Sequence, residues 1–176
     1  METINTDRLN IRRFTEYDLE DLYEYLSDPE VVRFEPYDVM DHDAAAETLK
    51  LRISSDEFFA VEETASGKVI GNIYLGKGYC EYCYELGYVF NRRYWGQGYA
   101  YEASSAVIEY VFNNGAHRIE ANCDPNNPRS WRLLERLGFV REGHLKRDIF
   151  FRRDEDGTPI WKDTYIYSRL NLNADI

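Results

Sequence analysis

The sequence predicts a single α+β domain: a mixed, mostly antiparallel sheet of seven strands flanked by about four helices. Strand-like runs outnumber helical ones, and the two kinds alternate only in the middle of the chain. Hairpin turns sit toward both ends, at Ala65-Ser66-Gly67 and at Asp154-Glu155-Asp156-Gly157. A length of 176 residues with 44% hydrophobic content suits one core of ordinary size, so the domain is expected to span 1–176.

Residues 9–14 read as the first strand. Thr15 caps a helix over 16–26, which stops before Pro29 because the residue preceding a proline avoids helical backbone. Residues 31–40 read as a loop with aromatic anchors, and 43–54 as a second helix capped by Asp43. Residues 58–63 and 68–75 form a hairpin, and 81–90 a long fourth strand. The longest helix covers 97–113 and closes at Asn114-Gly115. Residues 117–123 make the fifth strand. A helix over 128–137 follows, with Pro128 near its first position, Trp131, Leu134 and Leu137 at helical spacing, and Gly138 at its end. Residues 139–151 and 160–170 complete the sheet. The central strand, helix, strand, helix order requires parallel pairing there, between the fourth and fifth strands.

A net charge of −11 argues against a nucleic-acid surface, which needs a basic footprint, and tolerates cationic partners such as amines. No stretch reaches bilayer-spanning length, and the N-terminus lacks a basic start followed by an apolar run, so neither membrane nor secretory signal is expected. Cys80, Cys83 and Cys123 are read as reduced thiols, which points to the cytoplasm. Cys80 and Cys83 form a C-x-x-C within the strand-like run, where positions three apart face opposite sides. No second such pair follows and the three histidines are scattered, so no metal is expected.

The stretch Arg93-Tyr-Trp-Gly-Gln-Gly-Tyr-Ala100 joins the fourth strand to the longest helix. Bare backbone at Gly96 and Gly98 lets successive N–H groups share one space at a helix N-terminus, an arrangement that binds phosphate. Arg92, Arg93, Arg129, Arg132 and Arg136 either reinforce that site or point into solvent. The dinucleotide fingerprint does not fit, since Tyr101 stands where its third glycine belongs, and a P-loop lysine is absent.

These residues resemble motif A of the GNAT N-acetyltransferases, R/Q-x-x-G-x-G/A, through Arg93, Gly96 and Gly98. Asn127-Pro-Arg-Ser130 followed by Leu134-Glu-Arg-Leu-Gly-Phe139 resembles that superfamily's N-x-x-S/A…L-G-F segment. The element order is similar along the whole chain, and the Tyr94-Trp-Gly-Gln-Gly-Tyr-Ala100 run most resembles the branch holding ribosomal-protein N-terminal and spermidine acetyltransferases. The resemblance implies acetyl-coenzyme A (acetyl-CoA) as donor. It places the pyrophosphate on the amides of Arg93, Tyr94, Trp95, Gly96, Gln97, Gly98 and Tyr99, counts Ala100 among the cofactor-binding residues, and runs the pantetheine arm along Tyr88, Val89 and Phe90. Asn127 and Ser130 line the opposite wall, and Gly87 lets the fourth strand splay from the fifth. The acceptor is an amine on a protein N-terminus, a small molecule or a polyamine. The acceptor site is expected around residues 31–40, which include Glu35, Tyr37 and Asp38, and a homodimer is an expectation of the same kind.

Transfer needs a base for the amine, a donor for the developing oxyanion and a proton for the thiolate. Backbone N–H groups at Val89 or Phe90 suit the oxyanion. Glu85 is the base candidate, since it shares a strand face with Val89, although roughly 13 Å of strand separates them; a solvated strand carboxylate is the other reading. Ser130 is the acid candidate or else a helix cap. Many members of the family that the chain resembles carry a tyrosine four residues before the glycine of L-G-F, where this chain has Leu134. A CoA-binding module without turnover is therefore the alternative to an enzyme. No cysteine is placed to relay the acetyl group, and Trp131 and Trp161 read as packing residues.

Overall fold

The structure, a computed structural model, describes residues 2–172. Its strands are β1 (Ile4–Asn5), β2 (Leu9–Arg13), β3 (Phe58–Glu63), β4 (Lys68–Lys77), β5 (Cys83–Phe90), β6 (Arg118–Cys123), β7 (Val140–Arg153) and β8 (Pro159–Leu170). They form one sheet in the order β1-β2-β3-β4-β5-β6-β8-β7, in which only β5 and β6 run parallel. The described strands number eight, not seven. The addition is the two-residue β1, too short to show a period, which pairs Ile4 with Ile11.

Five α-helices are described: α1 (Leu19–Leu26), α2 (Pro29–Val32), α3 (His42–Ser54), α4 (Tyr99–Asn113) and α5 (Pro128–Arg136). The extra one, α2, occupies part of the expected loop. Asp28 caps it, accepting from the Glu30 N–H at 3.0 Å, and Pro29 takes the first position, where a missing N–H costs nothing. Helix α3 starts one residue earlier than expected, because Asp41 rather than Asp43 accepts from the Ala44 N–H at 2.8 Å. The expected helix over 97–113 begins at Tyr99, since Gln97 and Gly98 belong to the turn.

Alternation along the strands divides the core into two layers. Phe59, Val61, Ile70 and Phe90 pack with Ala103, Val107 and Ile108 of α4 and with Leu134 of α5. Ala60, Val69 and Val89 pack with Leu22 and Tyr25 of α1 and Leu49 of α3. Each helix therefore meets one face of the sheet, and the sheet's centre is buried from both sides.

Two strands part in the middle. β5 and β6 pair only at Cys83↔Arg118, Tyr84↔Ile119 and Glu85↔Glu120. β6 continues with β8 as far as Cys123↔Tyr165, and β5 with β4 as far as Phe90↔Gly71. Residues 86–90 and 121–123 are thus held apart by their outer neighbours, leaving a cleft at the sheet's centre.

Cys80 and Cys83 are joined as a disulfide, which corrects the expectation of reduced thiols there. That expectation assumed a strand from residue 81. Instead residues 79–82 form a turn, with Tyr82 in the left-handed region (φ 66°), and the two Cα atoms lie 5.4 Å apart, within bridging range. Cys123 is a free, buried thiol. No helix among the described residues is long and apolar enough to cross a membrane.

Candidate active site

The turn into α4 is built around two left-handed glycines. Gly96 has φ +76° and Gly98 φ +85°, conformations that side chains resist. A β-carbon on Gly96 would meet nothing within 4 Å, so the space above it is open. Gly98 is the N-cap of α4 and offers no side-chain oxygen to the first turn. Helices α2, α3 and α5 each have an Asp or Asn accepting from an early N–H. At α4 the first-turn donors and the positive end of the dipole are left for a ligand. This bare cradle fits a diphosphate.

The neighbours of the cradle are engaged in holding its shape. Gln97 donates from its side-chain amide to the Arg93 carbonyl at 2.8 Å. Arg8 pairs with Glu102 at 2.6 Å, donates to the Gln97 carbonyl at 3.2 Å and stacks over Tyr99. Tyr94 packs edge-on against Tyr99 at 5.7 Å, and Ala100 lies half-buried on the core. The flanking arginines have protein partners: Arg92 with Asp28 at 2.8 Å, Arg93 with Glu24 at 3.1 Å, Arg129 over the Trp95 ring and Arg136 over Tyr101. Arg93 is nonetheless largely exposed beside the cradle.

The hydrogen-bond phase of β5 decides which amides face the cleft. The Asn91 N–H donates to the Ile70 carbonyl at 2.9 Å. Antiparallel alternation then bonds Val89 to Asn72 and turns Tyr88 and Phe90 away from β4. In agreement, the Phe90 carbonyl accepts from the Trp95 indole at 2.8 Å. Of the two N–H groups expected to serve the oxyanion, Val89's is committed to β4, and Phe90's faces the gap. Gly87 also serves the β4 side, where a β-carbon would lie 3.3 Å from that of Tyr74.

On the far wall Asn127 caps α5, its side chain accepting from the Ser130 N–H at 3.3 Å. Ser130 is therefore not the cap. Its hydroxyl lies 3.1 Å from the Tyr88 hydroxyl, which also donates to the Ser130 carbonyl at 3.0 Å. Burial holds the Tyr88 phenol protonated well above its ordinary range. Sequence reasoning missed this partner. The tyrosine it sought on α5 is Leu134, 1% exposed in the core, while a tyrosine reaches Ser130 from β5. Burial pushes the neighbouring Cys123 thiol up to about 12, so the thiolate that a covalent relay would need is scarce.

Glu85 stands at the last paired position of β5 and β6, half-buried, and accepts from the Asn122 side chain at 3.2 Å. A second carboxylate of note belongs to the segment after α2. Glu35 follows α2, anchored by its N–H donating to the Val32 carbonyl at 3.0 Å. Burial raises its pKa to about 7, against the nearby Arg52 charge, a hydrogen bond from Tyr37 and the charge of Lys162. Its charge in turn reaches the Tyr88 phenol. The only signal in the sequence was its place in the 31–40 segment.

Below this segment an open cleft of about 630 Å³ is lined by Arg33 and Phe34, by Asp124, Pro125 and Asn126 after β6, and by Trp161, Lys162 and Asp163 of β8. Trp161, expected to be packing, is 43% exposed there. No group of three or more metal-ligating side chains is assembled among the described residues.

The chain shares this architecture with known proteins. The family description "Acetyltransferase (GNAT) domain" matches residues 8–140. YnaD of Bacillus subtilis, described as an uncharacterized N-acetyltransferase, is 38% identical over 95% of this chain and 96% of its own. The crystal structure of a GNAT-family acetyltransferase from Bacillus anthracis superposes with a TM-score of 0.88 at 34% identity, covering 96% of this chain and 98% of that one. Spermidine N-acetyltransferase of Vibrio cholerae, crystallised with CoA and spermine, shares the fold with a TM-score of 0.77 at 21% identity, over 94% and 97% of the two chains.

Proposed function

We propose, for a chain that belongs to the GNAT acetyltransferase family and is an acetyl-CoA-dependent N-acetyltransferase, that the acetyl group passes directly to a single primary amine carried on a peptide-like or apolar body. The observation that carries the reading is the bare N-terminus of α4 opening beside the split between β5 and β6. In this reading the diphosphate lies on the main chain of residues 93–100 and the pantetheine arm runs past the outward amides of Tyr88 and Phe90. Asn127 and Ser130 form the other wall, and Phe90's N–H meets the developing negative oxygen.

The thiolate leaving group, with an ordinary thiol pKa of about 8.5, takes its proton from the Tyr88 and Ser130 hydroxyl pair. Direct attack is favoured because Cys123 is held protonated and Cys83 is bonded to Cys80.

The cleft lining supports a monoamine over a polyamine. It carries two cations and two carboxylates, and both carboxylates have cations of the chain as partners. Asp124 pairs with Lys162 at 3.2 Å, and Asp163 with Lys146 at 3.0 Å and with His144 at 2.8 Å. Phe34, Pro125 and Trp161 offer flat apolar walls instead.

Free thiol release from acetyl-CoA, measured across a panel of peptide N-termini, simple amines and polyamines, tests the proposal. Turnover with peptides or monoamines at lower KM than with spermidine is expected. CoA binding without thiol release for any amine would favour the module that only binds.

A further inference from the structure

We propose that Arg33 selects the acceptor: its guanidinium, at the mouth of the cleft, binds a carboxylate carried on the same molecule as the amine. This rests on the transferase reading and narrows it, making the acceptor an anionic monoamine, either an amino acid or a peptide with an acidic residue near its N-terminus. The charges that line the cleft differ in depth. Asp124 and Lys162 lie deeper, with side chains 9% and 22% exposed, and close on each other at 3.2 Å. Asp163 is held by Lys146 at 3.0 Å, by His144 at 2.8 Å and by the Arg147 N–H at 2.9 Å. Arg33 is 63% exposed and marks the mouth.

Among the described residues, Arg33 is the charge of this lining whose polar partner is weakest. Its ion pair is with Glu30 at 4.0 Å, three residues earlier in the chain, and both side chains are more than half exposed. Water screens such a pair, so the guanidinium keeps its N–H donors for another acceptor. The side chain is nevertheless held at the cleft. The guanidinium carbon lies 5.4 Å from the centre of the Phe34 ring, and the Lys162 ammonium lies 5.5 Å from the same centre. An arginine resting on an aromatic ring presents its planar fork ready-made. Little further entropy is lost when two of its N–H groups grip the two oxygens of a carboxylate.

The chain itself links this cation to the chemistry. Asp124, Pro125 and Asn126 run from the end of β6 into Asn127, which caps α5 and accepts from the Ser130 amide. An amine inserted past them approaches the wall that bears Ser130, while a carboxylate on the same molecule stays with Arg33. The same cation acts against a polyamine, because a second ammonium at the mouth meets a like charge. A net charge of −11 makes the chain as a whole favour cations, so a preference for an anionic acceptor needs a local positive group of this kind.

The test compares kcat/KM for matched acceptors in wild type, Arg33→Gln and Arg33→Glu, by thiol release from acetyl-CoA. One arm sets amino acids against their carboxamides. The other sets C-terminally amidated peptides with glutamate in second place against the same peptides with glutamine there. Wild type should prefer the carboxylate member by about tenfold in at least one arm, and the arm identifies the source of the carboxylate. Arg33→Gln should erase that preference, mainly through KM, and Arg33→Glu should reverse it and favour spermidine over the carboxylate acceptors. Each ratio is taken within one preparation, so a loss of folded protein cancels. Equal rates within both pairs in wild type, or a preference that survives Arg33→Glu, overturns the assignment and leaves the transferase standing. A wild type that releases no thiol with any amine overturns the transferase reading, and this assignment with it.

Discussion

Gly98 combines two demands that no other residue type meets. Its backbone lies in the left-handed region, and as the N-cap of α4 it must leave the first-turn donors uncovered. Valine would strain the turn by about 1–3 kcal/mol and put a branched side chain toward Arg8, whose guanidinium would lie 3.5 Å from the new β-carbon. Gly98→Val should therefore raise the Kd for CoA at least tenfold, read by calorimetry, with the far-UV dichroism of a folded protein. Unchanged affinity would remove the diphosphate from this turn. At the opposite wall, Ser130→Ala and Tyr88→Phe separate the two hydroxyls. If Ser130 passes the proton, its loss should lower kcat about 10²-fold or more with little change in CoA affinity. If the phenol passes it directly, Tyr88→Phe should carry the loss instead, and two variants with wild-type kcat would exclude both hydroxyls. The cradle was legible in the sequence because glycine spacing is a local signal. The Tyr88 contact was not, because it joins residues 42 positions apart across a cleft that only the sheet defines.

Among the elements, α5 shows how a site and a fold share one residue. It starts at Pro128, and its cap is Asn127, whose side chain positions the Ser130 amide. Removing that acceptor with Asn127→Ala should cost about 1 kcal/mol, or roughly 2–4 °C in Tm for a chain of this size. The variant should also slow turnover, because Ser130 loses its fixed position at the helix start. A wild-type Tm would mean that α5 is held by Leu134 and its core contacts alone. Strands and helices with strong periodicity were readable to within a few residues. The errors fell where a cap or a turn decides the boundary. Asp28 starts a helix that the sequence reading did not find, Asp41 starts one that it placed a residue late, and the turn before β5 brings together two cysteines that an extended strand would keep apart.

For the molecule as a whole, charge connects stability with pH. Glu142 illustrates the common sign. Arg118 and Ser168 hold its pKa down to about 2, so its contribution is present above the usual carboxylate range and fades as pH falls toward 2. Glu35 has the opposite sign. Its pKa rises from 4.5 to about 7 on folding, so between those values the folded state binds more protons than the unfolded one. Stability contributed at this position therefore falls as pH climbs through that window and stays low above it. Beyond its place in the 31–40 segment, nothing in the sequence set Glu35 apart from the 31 other glutamates and aspartates, because the charges that act on it, Arg52 of α3 and Lys162 of β8, are distant in the chain. The consequence is a test that needs no substrate. Glutamine keeps the shape and abolishes the charge, so Glu35→Gln should raise Tm at pH 8 by several degrees, equivalent to about 3 kcal/mol. At pH 4 both side chains are neutral and the two melting curves should coincide. A variant more stable than wild type at pH 8, with the difference vanishing in acid, has the signature of a carboxylate whose charge is opposed by burial. Equal Tm values at pH 8 would mean that Glu35 is solvated well enough to titrate as an ordinary surface acid.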